Sequence, residues 1–271
     1  MIAVAIFHGL GDCVNATAVL PFIKARHGKV IWVTCKQYTA LVEHNPHVEK
    51  VEIIDEKPMA CDKHYPRLRK MYGSNLLTPA PYMNPIGPTL AGWFISLTKK
   101  YGNNGQYLKP QLFVTPQEVA DVDNWLHDRG IKKFVMLEAL YGSRQSFWNR
   151  QYSVETIKLL TQKGYTVLFT HRTEPNIDEY NKIGRVVCLD VDFRYLPVFY
   201  NKSSGFIGVS SGASVLCHTH QCRLDVPHVE FVRGEHWCTR QYAPKKNKVI
   251  SFNTAMASVR QNINRTIPRC T

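Results

Sequence analysis

The sequence predicts an α/β protein in two halves, each folded on a parallel sheet. Three observations carry that prediction. Short apolar runs alternate with amphipathic stretches along most of the chain. Runs such as 1–7 and 205–209 are apolar at every position, as strands covered on both faces have to be. A proline-bounded segment, 110–116, interrupts the series, and a second series begins after it. With 271 residues the chain can bury a core as one large domain or two modest ones. The first half then spans 1–112 and the second 113–271.

Residues 1–7 form the first strand. The turn His8-Gly9-Leu10-Gly11-Asp12 leads into a helix over 14–26, where Ala18, Val19, Phe22 and Ile23 recur at helical spacing. Strands follow at 29–34 and 51–54, with a short helix at 38–44 between them. Units of this size imply right-handed crossovers between parallel strands. From 57 to 105 the pattern gives way to Pro, Gly, Asn and Tyr, which reads as one long loop.

In the second half, Thr115 caps a helix that opens with Pro116, carries Glu118 in its first turn and lines up Val119, Val122, Trp125 and Leu126. A strand at 133–137 and a helix at 153–163, capped by Ser153, come next. Further strands are expected at 165–170, 185–189, 205–209, 228–232 and 249–252. A helix begins near Ala213, and a terminal helix over 254–265 places Met256, Val259 and Ile263 on one face.

Gly9 and Gly11 allow backbone to approach a ligand at the carboxyl end of the first strand, where open α/β sheets bind. Asp12 follows at the mouth of that site. A carboxylate there repels phosphate, and the three-glycine dinucleotide fingerprint is absent, so Asp12 is either a helix cap or a functional group. Two α/β halves make a cleft between their strand ends, the expected position of the active site. Asp12 lines it from the first half; Ser143, Arg144, Arg150, Glu174 and the run Ser210, Ser211, Gly212, Ala213, Ser214 line it from the second.

The formal charge of +13 points to a polyanionic partner: nucleic acid, phosphorylated lipid or acidic glycan. Within the long loop, Lys63, Arg67, Arg69 and Lys70 alternate with Tyr65 and Tyr72. Such a segment is either a solvated surface or a phosphate clamp with stacking rings. No run of eighteen apolar residues exists, and 1–7 is too short for a signal-peptide core, so a cytoplasmic protein without a membrane span is expected. The eight cysteines lack framework spacing and read as reduced thiols. Cys217, His218, His220, Cys222, His228, His236 and Cys238 contain enough soft ligands for zinc, but not the paired spacing of structural sites, and no metal is expected.

Several of these segments together resemble the heptosyltransferase family of glycosyltransferases. The opening Gly11-Asp12-Cys13-Val14-Asn15-Ala16-Thr17-Ala18-Val19-Leu20-Pro21 is similar to that family's Gly-Asp helix, and Asn45-Pro46 with its flanks to the segment before its third strand. Arg150-Gln151-Tyr152 lies where the family carries Lys-x-Trp-Pro. Glu174 follows a strand whose glutamate the family uses on the donor ribose. Gly208-Val209-Ser210-Ser211-Gly212 resembles its Gly-x-Asp-Ser/Thr-Gly turn. Ser210 replaces the usual acid, Ala213 a common proline, Val215 a common histidine and Arg150 the lysine.

The resemblance implies the two-domain glycosyltransferase B architecture and an inverting, metal-independent transfer from a nucleotide-diphosphate sugar, with no other cofactor. Asp12 would be the base for the acceptor hydroxyl. Arg150, Arg144, Ser143 and the amides and hydroxyls of 210–214 would receive the departing diphosphate, aided by the following helix's positive end. Glu174 would hold the ribose. The acceptor half, with Gly9, Gly11, Lys63, Tyr65, Arg67, Arg69, Lys70 and Tyr72, favours nucleic acid bearing a modified base, presented flipped, over phosphorylated lipopolysaccharide core. A non-catalytic nucleotide-sugar or nucleic-acid binding protein is the alternative of a different class.

Overall fold

In the computed structural model the described residues are 1–6, 9–54, 64–78, 100, 108–139, 148–232, 248–251 and 256–270. They divide into two compact units, one of Met1–Phe113 with Thr219–Gln221 and one of Val114–His218 with Cys222–Thr271. The three residues 219–221 thus pack with the unit that precedes them in sequence.

The first unit carries strands β1 (Ile2–Ala5), β2 (Val30–Cys35), β3 (Lys50–Ile54) and β4 (Leu76–Leu77), all parallel, in the order β3-β2-β1-β4. Every residue of β1 and β2 is buried, which is why both read as continuous apolar runs. The single helix expected over 14–26 is instead α1 (Leu10–Ala16) and α2 (Leu20–His27), joined by a 3-10 turn at Thr17–Val19. Pro21 lies in the first turn of α2, where its missing N–H costs nothing. Residues 36–42 form a 3-10 helix rather than an α-helix. The expected loop also holds regular structure: helix α3 (Tyr65–Tyr72) and then β4, which pairs with β1.

The described residues of the second unit form six parallel strands: β5 (Phe134–Glu138), β6 (Thr166–Phe169), β7 (Val186–Cys188), β8 (Phe206–Val209), β9 (His228–Val232) and β10 (Lys248–Ser251). Their order is β10-β9-β8-β5-β6-β7, the doubly wound arrangement. Helices α4 (Pro116–Asp128), α5 (Arg150–Gln162), α6 (Ile177–Asn181), α7 (Leu196–Lys202), α8 (Gly212–Leu216) and α9 (Met256–Thr266) complete it. Thr115 caps α4 with Glu118 in a reciprocal box. Helix α5 starts three residues earlier than expected and is capped by Asn149; Ser153 is buried inside it and accepts from the Trp148 indole at 2.8 Å. One core of this unit joins Val135, Leu137, Ile207, Val209, Val229 and Phe231 to Ile157 and Leu160 of α5 and Val259 and Ile263 of α9.

Candidate active site

In the first unit, β1 lies between β2 and β4, where the strand order reverses. Loops at the carboxyl end of such a strand form the crevice in which doubly wound sheets bind ligands. Gly9 stands there in extended conformation (φ −79°, ψ 155°) as N-cap of α1, and Asp12 is the third helical residue. Its carboxylate turns back and accepts the Gly9 N–H through Oδ2 at 3.3 Å. A Cβ on residue 9 would meet that oxygen at 3.2 Å, so glycine lets the carboxylate fold this close. Burial pushes the Asp12 carboxyl up to about 6, against the opposing pull of the Gly9 N–H. A capping role and a poised carboxylate therefore coexist in one side chain. Gly11 is different: it lies within α1, not in a tight turn. Tyr38, absent from the sequence-derived site, is buried behind this turn, and its hydroxyl is pushed up to about 12 by burial first and then by the charges of Cys13, Cys35 and Asp12.

The basic segment is the helix α3. Arg67, Arg69 and Lys70 are exposed on it, while Tyr65 and Leu68 are core residues. Tyr72 hydrogen-bonds the Glu52 carboxylate on β3, which lowers the Glu52 pKa; burial first, and then this bond, raises the phenol to about 12. The two rings assigned to stacking are thus a core residue and a phenol bound to Glu52. Lys63 lies outside the described residues.

In the second unit the serine turn follows β8. The Ser211 hydroxyl accepts the N–H groups of Ala213 (3.1 Å) and Ser214 (3.4 Å), and the Ser214 hydroxyl accepts the Ser211 N–H at 3.0 Å. Three backbone amides expected to face a diphosphate are engaged within the turn itself. The helix after it, α8, is only five residues long, and its aligned dipole is correspondingly short. Ser210 and Ala213 are buried beside the turn. Glu174, in the loop after β6, is fixed by three donors: its Oε1 accepts from the backbone (3.1 Å) and side chain (2.9 Å) of Asn176, and His171 Nε2 stands 3.4 Å from Oε2. Arg150 opens α5 and forms a two-pronged pair with Glu179 of α6 on the surface, so its cation is already partnered. Ser143 and Arg144 lie outside the described residues.

Two glutamates escaped the sequence reading because each sits in an apolar run, at 138 and 230. Glu138 ends β5 and Glu230 lies in β9; both are buried, and Glu230 is 0% exposed. The register sets Glu138 beside Gly208 of β8 and Gly208 beside Glu230, so the three form one row on one face of the sheet. Two residues back on the same face, His228 is fully buried, stacked on Phe206 and edge-on to His218, each at 4.5 Å. The ligand-rich run 217–228 contributes these packed rings. Among the described residues no three His, Cys, Asp or Glu side chains are grouped to hold a metal ion, and Cys217 and Cys222 are buried thiols outside any disulfide; His236 and Cys238 lie outside them. No described helix is long and apolar enough to cross a membrane.

No protein-family model matches the chain, and comparison of sequences with characterised proteins returns no relative. Solved structures do match. The ADP-heptose lipopolysaccharide heptosyltransferase II of E. coli superposes with a TM-score of 0.67 at 13% identity, over 98% of both chains. A family 9 glycosyl transferase of Veillonella parvula gives 0.66 at 13% identity, over 97% of this chain and 90% of that one. The iron-containing dodecameric heptosyltransferase of E. coli, bound to an ADP-heptose, gives 0.59 at 13% identity, over 93% of this chain and 63% of that one. The chain therefore has the two-sheet α/β fold of the glycosyltransferase B heptosyltransferases.

Proposed function

We propose that the protein is a glycosyltransferase that moves a sugar from a nucleotide-diphosphate donor to a hydroxyl of a phosphorylated glycan of the lipopolysaccharide-core type. One observation carries the reading. A carboxylate with its pKa pushed up to about 6 stands at the carboxyl end of the switch-point strand β1, in a fold that matches a heptosyltransferase end to end. A base near neutral accepts a proton at working pH and is not spent as a permanent anion.

In this reading Asp12 removes the proton of the acceptor hydroxyl as its oxygen bonds to the anomeric carbon. The bond from that carbon to the diphosphate breaks, and the electron pair leaves with the diphosphate. The second unit must then neutralise the new charge. Arg150, Arg144, Ser143 and the turn 210–214 are the proposed groups; the turn would exchange the bonds that its Ser211, Ala213 and Ser214 amides make within it for phosphate, and Arg150 would exchange Glu179, a swap that its planar fork allows. Glu174, held by His171 and Asn176, offers its remaining lone pairs to ribose hydroxyls. Lys63, Arg67, Arg69 and Lys70 would grip phosphates of the acceptor. No metal is assigned to the transfer.

A modified base in DNA is the weaker acceptor, because single-strand binding relies on free aromatic faces and Tyr65 is buried while Tyr72 is hydrogen-bonded to Glu52. The deciding experiment offers ADP-heptose, UDP-hexoses and GDP-hexoses with two acceptors, phosphorylated lipopolysaccharide core and hydroxymethylated DNA, and reads acceptor mass. A gain on the core alone, unchanged by EDTA, is expected. A gain on DNA alone restores the nucleic-acid acceptor; loss of activity in EDTA contradicts the metal-independent route.

A further inference from the structure

The face of the second sheet that carries Glu138, Gly208 and Glu230 has an arrangement that the transfer chemistry above does not use. Glu138 Oε2 accepts the Thr170 hydroxyl at 2.6 Å, and Thr170 begins the loop that bears His171, Glu174 and Asn176. The Ser214 hydroxyl stands 3.0 Å from Glu230 Oε1 and 2.8 Å from the Ser211 carbonyl oxygen, two acceptors for its one proton, and it accepts the Ser211 N–H. Each buried carboxylate therefore reaches a different loop at the carboxyl edge of the sheet. Between them, a Cβ on residue 208 would lie 2.6 Å from Glu138 Cβ, so only glycine leaves Glu138 its place in the row. Burying two carboxylates is costly unless each is well hydrogen-bonded, and neither Thr170 nor Ser214 contributes a charge. Apolar side chains would fill this face at lower cost. What the glutamates add is direction, since each supplies an acceptor oxygen that fixes the hydroxyl of one loop.

We propose that Glu138 and Glu230 are positioning residues for the donor nucleotide: Glu138, through Thr170, sets the loop that holds the ribose, and Glu230, through Ser214, sets the turn that receives the diphosphate. The two act separately because Gly208 stands between them and each bonds its own loop. This rests on the nucleotide-sugar reading. It assigns the two carboxylates different parts of one ligand, which a merely structural pair would not have.

The test titrates the purified protein calorimetrically with ADP, GDP and UDP and with the matching nucleosides, thermal unfolding serving as the fold control. Glu230→Ala and Ser214→Ala should each weaken the bound diphosphate about tenfold and change the nucleoside less than about twofold. Glu138→Ala and Thr170→Val should weaken nucleoside and diphosphate by the same factor. Each pair should saturate, the double variant being no worse than the single, while Glu138→Ala with Ser214→Ala should multiply. Glu138→Gln and Glu230→Gln keep an acceptor oxygen and should restore most of the affinity. If the alanine variants of the glutamates do not fold, Thr170→Val and Ser214→Ala decide alone. Equal loss of nucleoside and diphosphate in Ser214→Ala, or no loss, overturns the assignment while leaving the donor reading intact. Failure of the wild type to bind any of the three diphosphates overturns both.

Discussion

The Gly9 N–H donates to Asp12 Oδ2 across 3.3 Å, so the carboxylate that closes the start of α1 is also the one at the end of β1. Only the ionised form can take a proton. kcat/KM for transfer should therefore rise with pH through an apparent pKa near 6 and level off above it. Asp12→Asn should lose about a hundredfold or more of the rate and the rising limb with it. A flat pH profile in the wild type would contradict the assignment.

The same shift has a cost in stability. The folded pKa of about 6 lies above the ordinary aspartate value, so the folded state favours the protonated form, and the stability present at low pH is lost as pH rises through 6. Asp12→Asn keeps an oxygen for Gly9 and removes the buried charge. It should raise stability at pH 8 by about 3 kcal/mol and leave it nearly unchanged at pH 4, as urea unfolding would report. A variant less stable at pH 8 would mean that the carboxylate is a structural cap above all.

His228 shifts the other way. Burial first, then the neighbouring His218, holds its pKa well below the ordinary histidine value, and among the described residues its Nε2 has no hydrogen-bond partner. A lowered folded pKa gives stability that is fully present above about pH 6.5 and lost below it, at roughly 1.4 kcal/mol per pH unit. His228→Leu should flatten the decline between pH 6.5 and 5; an unchanged slope would place the acid sensitivity elsewhere.

The sequence displayed most of the sheets and hid much of the polar chemistry. Strands such as 2–5, 30–35 and 206–209 were legible because parallel strands buried on both faces are built mainly from apolar residues. Thr115, Pro116 and Glu118 announced α4 because capping is a local matter of three or four residues. Helix α3 was obscured: its inward face is Tyr65 and Leu68 alone among cations, and Pro66 reads as a breaker although it sits harmlessly in the first turn. Glu138 and Glu230 could not be paired from sequence. Ninety-two positions separate them, and only the register through Gly208 makes them neighbours in a row. Asp12 was visible as a candidate, but its raised pKa is a property of burial, which no local pattern encodes.

Arg194 and Glu118 form a largely buried ion pair between α4 and the turn before α7, with Arg194 3% exposed and its Nη2 3.1 Å from Glu118 Oε2. Arg194→Met should destabilise the protein by about 3–5 kcal/mol, because it strands the carboxylate. Adding Glu118→Gln should recover part of that loss. A cost below about 1 kcal/mol would show the pair to be solvated.

Asp12 acting as the base of the transfer is tested most directly by one reaction followed at both ends. Wild type and Asp12→Asn are incubated with the nucleotide sugar that supports transfer and with phosphorylated lipopolysaccharide core, and nucleoside diphosphate release and acceptor mass are measured together. Equal release and mass gain in the wild type, with both lost in Asp12→Asn while the nucleoside diphosphate still binds, is the predicted result. Transfer that survives in Asp12→Asn at the wild-type rate would contradict the account.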